Sequence, residues 1–341
     1  AIRFYDPRFN RAKAYRLGME LVRKAVGEDA YILACGGLYE GSLGLIDGQR
    51  VGSDVKGRWH EPDPQQPGYL VRIKQNVFRA WTRRWWHTDP DALQLRRRTE
   101  PFRGREDFAH LSQGTFTEEE AFTITVNQYL GGGIVCLSEH FPTFDADRRD
   151  MLRLVIPSID TPAQILDWNH PTCPTRFLTR IQPKAKGLDP WWTLAVCNWS
   201  ENESLESINL AAIPQLPSHA NWAVFEMYTQ QLLGEFEADH PITFKVPAHG
   251  CRVLRLCPST NKDILLLGTD LHLSGGGVEI GNWQVSPQAV KVQLDTPWRR
   301  PVTVSVGLRT NHQLCLHSFT IPMGSHEHVM ALPTPTPSFN A

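Results

Sequence analysis

Residues 44–55, GLIDGQRVGSDV, run an apolar stretch directly into an arginine and an aspartate four positions apart, Arg50 and Asp54. A carboxyl beside a guanidinium can transfer a proton while the cation orients a polar ligand. At the carboxyl end of a strand in a parallel βα arrangement, such residues stand on the face where chemistry is done. An isolated R-x-x-x-D reads as readily as a surface ion pair, so its neighbours decide its weight. One strand earlier is CGGLYE, with Cys35, Tyr39 and Glu40. One unit later is WHTDPDAL, with Asp89 and Asp91. Three successive strand ends therefore carry polar groups in apolar company. Asp-Pro-Asp at such an end favours bracing a neighbouring arginine or loop amides over direct catalysis.

The elements that must position these groups follow from periodicity. Residues 11–25 place Ala14, Leu17, Leu21, Val22 and Ala25 at helical spacing, closed by Gly27. Apolar runs at 31–35 and 43–46 read as buried strands, 70–81 as a helix, 92–95 as a strand, 118–130 as a helix opened by acidic residues, and 134–137 as a strand after three glycines. This alternation predicts parallel βα units. After Pro157 the pattern changes to proline punctuation and alternating stretches at 192–196, 222–227 and 252–256, an antiparallel β region. A second shift near 258–262 leads to β stretches at 264–267, 290–294, 302–306 and 313–316, a further small β domain. Residues 334–341, rich in Pro and Thr, read as a disordered tail.

Composition limits the partners. A net charge of -1 offers no field for nucleic acid or an anionic membrane, and a neutral ligand suits it best. The basic stretch 79–105 is interleaved with Trp81, Trp85 and Trp86, but a solvated helix face followed by a buried strand explains it better than single-strand stacking. Seven cysteines, odd in number, spread out and without C-x-x-C, support neither a zinc site nor a disulfide framework. His326 and His328 lack a third nearby ligand and read as part of a solvated tail, so neither metal nor cofactor is expected. No apolar run reaches the ~18 residues of a membrane span. The opening AIRFYDPRFN has neither an apolar leader core nor an initiating Met, which reads as the interior of a longer chain. Free cysteines and the absence of a visible leader favour the cytoplasm.

The order of these motifs resembles the α-galactosidase (melibiase) clan, glycoside hydrolase families 27 and 36, where C-x-x-x, R-x-x-x-D and N-D-P-D motifs recur on strands five to seven. Here Thr88 stands where the Asn of the last motif would be. Residues 195–200, AVCNWS, and the closing stretch 246–256 resemble strands of the clan's C-terminal sandwich, and 266–272 resembles a β segment of some bacterial members. The likeness is thus to the C-terminal part of a family 36-like enzyme.

The resemblance implies an α/β plus all-β chain. Residues 1–157 would form the C-terminal half of a (β/α)8 barrel, 158–260 a β-sandwich domain, and 261–333 a further small β domain. It implies a retaining hydrolase of terminal α-galactosides, with α-N-acetylgalactosaminidase and a non-catalytic carbohydrate-binding relic as alternatives. Asp54 would be the general acid/base, which must hold a proton for the departing oxygen and then activate water. Arg50 would donate to the sugar, with Cys35 and Tyr39 lining the pocket, although a buried structural thiol explains Cys35 equally well. Trp59 is the aromatic placed to stack on a sugar, whereas Trp85 and Trp86 read as core. Counting units gives helix four at the start and helix eight near 147–155, without strands one to four. The clan's nucleophile, an aspartate on strand four, has no counterpart in residues 1–10, where Asp6 before Pro7 reads as a helix cap. The chain alone is therefore expected to be inactive, and a complementing N-terminal half would supply the rest.

Overall fold

The computed structural model describes residues 4–55, 57–60, 68–97, 116–139, 141–218, 221–259 and 262–332. The expected tail, 334–341, lies outside them. The chain divides into two compact units, Ala1–Arg149 with Ser158–Ala163, and Asp150–Pro157 with Gln164–Ala341. No described helix is long and apolar enough to cross a membrane.

In the first unit, α1 spans Arg11–Val26 and is capped by Asn10, whose side chain accepts the Lys13 N–H at 2.8 Å. Asp6 is not the cap. It stands too far ahead of the first turn to reach its amides and instead binds Arg8, whose guanidinium holds its carboxyl below the usual range. The docked side of α1 is polar. Tyr15 meets Ser42 at 2.8 Å, Arg16 donates to the Leu43 carbonyl at 2.6 Å, and Arg23 reaches the Leu45 and Ala30 carbonyls and Asp47. The apolar stripe Leu17, Leu21, Val22 and Val26 is exposed, Leu21 by 58%.

Three parallel strands follow: β1 (Leu33–Ala34), β2 (Gly48–Arg50) and β3 (His87–Asp89), side by side in that order, with a short helix α2 (Tyr39–Ser42) between the first two. The strand expected at 43–46 is a turn, with Gly44 at φ +74°. Arg16 and Arg23 take the carbonyls of Leu43 and Leu45, which a strand ladder would need. Helix α3 (Tyr69–Arg79) runs into a 3-10 turn at Ala80–Arg84 and buries Ile73, Val77 and Ala80. Trp86 is core, as expected, but Trp85 is 47% exposed.

A second parallel pair joins β4 (Ala92–Leu93) to β5 (Cys136–Leu137), with α4 (Glu118–Gly131) between them in sequence. Thr117 and Glu120 close a capping box on α4, and Glu118, Glu119 and Glu120 in its first turn match the helix dipole. From Glu120 to Gly131 every residue of α4 is buried, so it is an internal helix and not an amphipathic one. Asn76 of α3 donates to the Asn127 carbonyl at 3.0 Å, and a Cβ at Gly131 would lie 2.7 Å from the Asn76 amide. α5 (Ala146–Asp150) and a 3-10 turn at Met151–Leu154 lead into the second unit.

That unit is antiparallel β. Its first strands are β6 (Gln164–Ile165), β7 (Arg176–Ile181), β8 (Trp191–Cys197), β9 (Ser204–Ile208), β10 (Asn221–Glu226), β11 (Gln231–Glu237), β12 (Ile242–Val246) and β13 (Cys251–Pro258). Six of them form one sheet in the order β11-β10-β13-β8-β7-β6, and β12 pairs with β9. Trp192, Leu194 and Val196 of β8 share one core with Ile208, Ile242 and Val246 of that pair, the inner layer of a sandwich. The opposite face of β8 is covered too: Trp191 donates its indole N–H to the Ser274 carbonyl, and the Arg255 guanidinium lies 3.8 Å over its ring.

Six further strands complete the unit: β14 (Ile264–Thr269), β15 (Ile280–Val285), β16 (Ala289–Leu294), β17 (Val302–Thr310), β18 (Gln313–Ile321) and β19 (Glu327–Ala331). They form two three-stranded sheets, β14-β17-β18 and β15-β16-β19. His328 belongs to β19 and stacks on Phe319 at 5.0 Å, so the expected solvated tail is here a paired strand.

Candidate functional site

The last residue of β2 is Arg50, and parallel pairing sets it opposite Asp89, the last residue of β3. Its guanidinium meets a carboxylate at each nitrogen. Nε donates to Asp89 at 3.0 Å, Nη1 to Asp54 at 3.2 Å, and Nη2 lies 3.1 Å from Asp91. Burial works against the arginine's charge, but the bond to Asp89 and the fields of Asp91 and Asp89 outweigh it, holding the cation above its ordinary value. Asp89 is buried and also accepts the Asp91 N–H at 2.9 Å. Asp91, at φ +76°, accepts the N–H groups of Ala92 at 2.7 Å and Val55 at 2.6 Å. Both aspartates of Asp-Pro-Asp thus hold the arginine, and Asp91 also holds the loop after it.

The loop that carries Asp54 is held on both sides. Before it, Ser53 donates its N–H and hydroxyl to Gln75 of α3, at 2.8 and 2.9 Å. After it, Val55 is fixed by Asp91, while the Asp54 carbonyl itself accepts from Arg72. The Asp54 side chain is 89% exposed, with Arg50 its ion-pair partner. A fixed backbone presenting a solvent-facing carboxylate at a strand end can hand a proton to a ligand or take one.

Cys35, just past β1, has an exposed thiol, so the buried structural alternative is overturned; it acts electrostatically on Arg50. Tyr39 opens α2, packs edge-on against Trp86 at 5.3 Å and hydrogen-bonds to Arg79. Burial pushes its phenol up against the pull of that arginine. Arg79 also donates to the Val51 carbonyl, joining Tyr39 to the loop after Arg50. Trp59 is buried, beside the first turn of α3, where Tyr69 donates its N–H to Arg58.

Several groups at these strand ends escaped the sequence reading. Glu139 follows β5; it accepts the Leu95 and Arg96 N–H groups and pairs with Arg96 at 3.3 Å, while burial pushes its carboxyl up. Its place just after the expected strand 134–137 was the available signal. The Cys136 thiol is raised by burial and by Asp89, with Arg50 opposing. Burial and Asp91 raise the Tyr69 phenol, which also feels Glu139. Gln75 and Arg79, one helical turn apart on α3, hold the loop after Arg50 through Ser53 and the Val51 carbonyl.

In the second unit, His272, Ser274 and Glu279 combine residue types seen in hydrolases, but all three are buried. Glu279 accepts from Thr269, Ser274 and the Gly276 and Val278 amides, and His272 lies 2.9 Å from both the Pro157 carbonyl and the Ser274 hydroxyl. The cluster folds the loop between β14 and β15. Glu237, Asp239 and His240 bring possible ligand atoms within 4.8 Å of one another, but all are exposed, an arrangement common without an ion.

No protein-family model matches the chain. Among solved structures it is similar to α-galactosidase I from Mortierella vinacea, at 17% identity and TM-score 0.52, covering 73% of this chain and 63% of that one. It is also similar to the α-galactosidase of Saccharomyces cerevisiae solved with raffinose, at 12% identity and TM-score 0.52, over 73% and 68%. A GH27 β-L-arabinopyranosidase from Geobacillus stearothermophilus matches at 16% identity and TM-score 0.54, over 72% and 55%. The matched region spans 55% to 68% of these three chains. The likeness is one of fold, shared with these two α-galactosidases and the β-L-arabinopyranosidase.

Proposed function

We propose that this chain carries the proton-transfer half of a retaining α-galactosidase-type site, with Asp54 as general acid/base. The observation that carries the reading is the Asp54 loop: pinned by Gln75 before the aspartate and by Asp91 after it, it leaves one carboxylate facing solvent beside Arg50. Arg50 would orient a sugar hydroxyl with the guanidinium hydrogens its carboxylates leave over. Cys35 and Tyr39 would shape the pocket around an α-linked galactosyl ring, whereas the buried Trp59 offers no exposed face to stack on it, contrary to the expectation from sequence. Residues 1–157 would be the C-terminal half of a (β/α)8 barrel from a family 36-like enzyme, 158–260 its sandwich and 261–333 a further β domain.

A retaining hydrolase needs a second carboxylate roughly 5–5.5 Å from the first. Asp91 has both oxygens engaged, by Ala92 and Arg50 on one side and Val55 on the other, and Asp89 is held by Arg50 and the Asp91 amide. Neither offers a free oxygen for attack. In this reading the nucleophile would come from a complementing barrel half, packed against the exposed stripe of α1 and the edge of β1, which pairs only with β2 among the described residues.

Leaving-group dependence tests the role of Asp54. With the complementing half present, Asp54→Ala should slow hydrolysis of an alkyl α-galactoside by roughly 10²–10⁴. A dinitrophenyl α-galactoside, whose leaving group needs no proton, should still form the glycosyl-enzyme, and added azide should restore its turnover. Equal losses on both substrates without azide rescue would remove Asp54 from proton transfer.

A further inference from the structure

Cys197 and Cys251 lie on the two central strands of the six-stranded sheet and face each other directly in its register. Just outside them the Asn198 N–H donates to the Gly250 carbonyl at 2.9 Å, which makes 198 and 250 a hydrogen-bonded pair. By the alternation of an antiparallel ladder, 197 and 251 are then a non-hydrogen-bonded pair. In such pairs the Cα atoms are about 4.5 Å apart and the side chains approach more closely. That separation falls at the short end of the roughly 4.4–6.8 Å spanned by disulfides. The two Sγ atoms are 3.2 Å apart and both thiols are buried.

We propose that Cys197 and Cys251 are a redox-modification site that closes a disulfide between β8 and β13 on reaction with a low-molecular-weight disulfide such as oxidised glutathione. One protein thiolate attacks the small disulfide, expelling one small thiolate and leaving a mixed disulfide. The second protein thiolate attacks the protein sulfur of that intermediate and expels the other small thiolate. Two protein thiols are oxidised, one small disulfide is reduced to two thiols, and the two protons pass to the leaving thiolates.

Burial, with Cys251 alongside, pushes the Cys197 thiol well above its ordinary value, so Cys197 holds little thiolate in the closed sheet. The exchange therefore proceeds while the strands are open, during folding or local unfolding, and the finished bond is sheltered from reductant by the same burial. Cys173, also buried and electrostatically felt by Cys197, is the competing partner.

The whole chain, refolded from guanidinium chloride with and without a mixture of oxidised and reduced glutathione, is then alkylated in denaturant. After glutathione refolding, all but two of the seven cysteines should be labelled. Peptide mapping should join Cys197 to Cys251, and the thermal midpoint should rise by roughly 5 °C or more. Cys315→Ser should keep the linked peptide and the rise, whereas Cys251→Ala should abolish both. Should Cys251→Ala not refold, Cys173→Ala separates the cases, because the proposal requires that it keep the Cys197–Cys251 peptide. Seven labelled thiols, glutathione adducts without a linked peptide, or a peptide joining Cys173 to either partner would overturn the assignment.

Discussion

Three carboxylates meet Arg50, and their distance from water divides their duties. Asp89 is buried and shares the arginine's charge inside the fold, whereas Asp54 faces solvent. Removing a buried partner leaves an uncompensated charge, but Asp91 and Asp54 still flank the guanidinium. Asp89→Asn should therefore destabilise the first unit by on the order of 2 kcal/mol. Asp54→Asn should leave the unfolding midpoint in place, since an exposed ion pair contributes little. Urea denaturation of both variants checks the contrast, and a larger loss from Asp54→Asn would reverse the roles. Arg50, Asp54, Asp89 and Asp91 drew attention in the sequence as polar groups beside apolar runs, although the run before Arg50 is a turn and the strands that end on Arg50 and Asp89 are Gly-Gln-Arg and His-Thr-Asp. Gln75, Arg72 and Arg79 were not, because their duty depends on which face of α3 meets a loop some twenty residues away in sequence. Cys197 and Cys251 were hidden for the same reason, being 54 residues apart and joined only by strand register.

At the scale of elements, the three longer helices are legible in their periodicity and β8, β10 and β13 in their alternation, while the cap of α1 and strands β6, β7 and β9 are not. The misreading at 43–46 shows the limit: an apolar run is compatible with a strand until arginines of α1 claim its carbonyls. The 118–130 stretch was read as a helix, but only packing reveals that it is buried all round. The loop between β14 and β15 has a testable pH dependence. Burial pushes the His272 imidazole below its ordinary value of 6.5, although the Glu279 carboxylate pulls the other way. The unfolded chain takes up a proton at that ordinary value and the folded chain resists it. The stability contribution is thus fully present above pH 6.5 and is lost as pH falls towards the depressed folded value. The urea midpoint of the second unit should drop between about pH 6.5 and pH 5, with a slope of up to about 1.4 kcal/mol per pH unit from this group. His272→Gln should flatten that part of the curve, and an unchanged slope would show that His272 titrates normally.

At the scale of the whole molecule, parallel βα units followed by antiparallel β sheets were readable from the change of texture near Pro157. The division into compact units was less so, since Asp150–Pro157 belongs with the later residues and Ser158–Ala163 with the earlier ones. The exposed stripe on α1 is the feature that a single sequence states most plainly and a single chain explains least. Leu17, Leu21, Val22 and Val26 are spaced to be buried, yet the helix docks by its polar side. A complementing barrel half would cover that stripe and bring the nucleophile. The decisive measurement is release of 4-nitrophenol from its α-galactoside by this chain, alone and together with a barrel half bearing the strand-four aspartate. Release is expected only from the combination and should be lost on Asp54→Asn. Turnover by the chain alone that Asp54→Asn abolishes, or complemented turnover indifferent to that substitution, would contradict it.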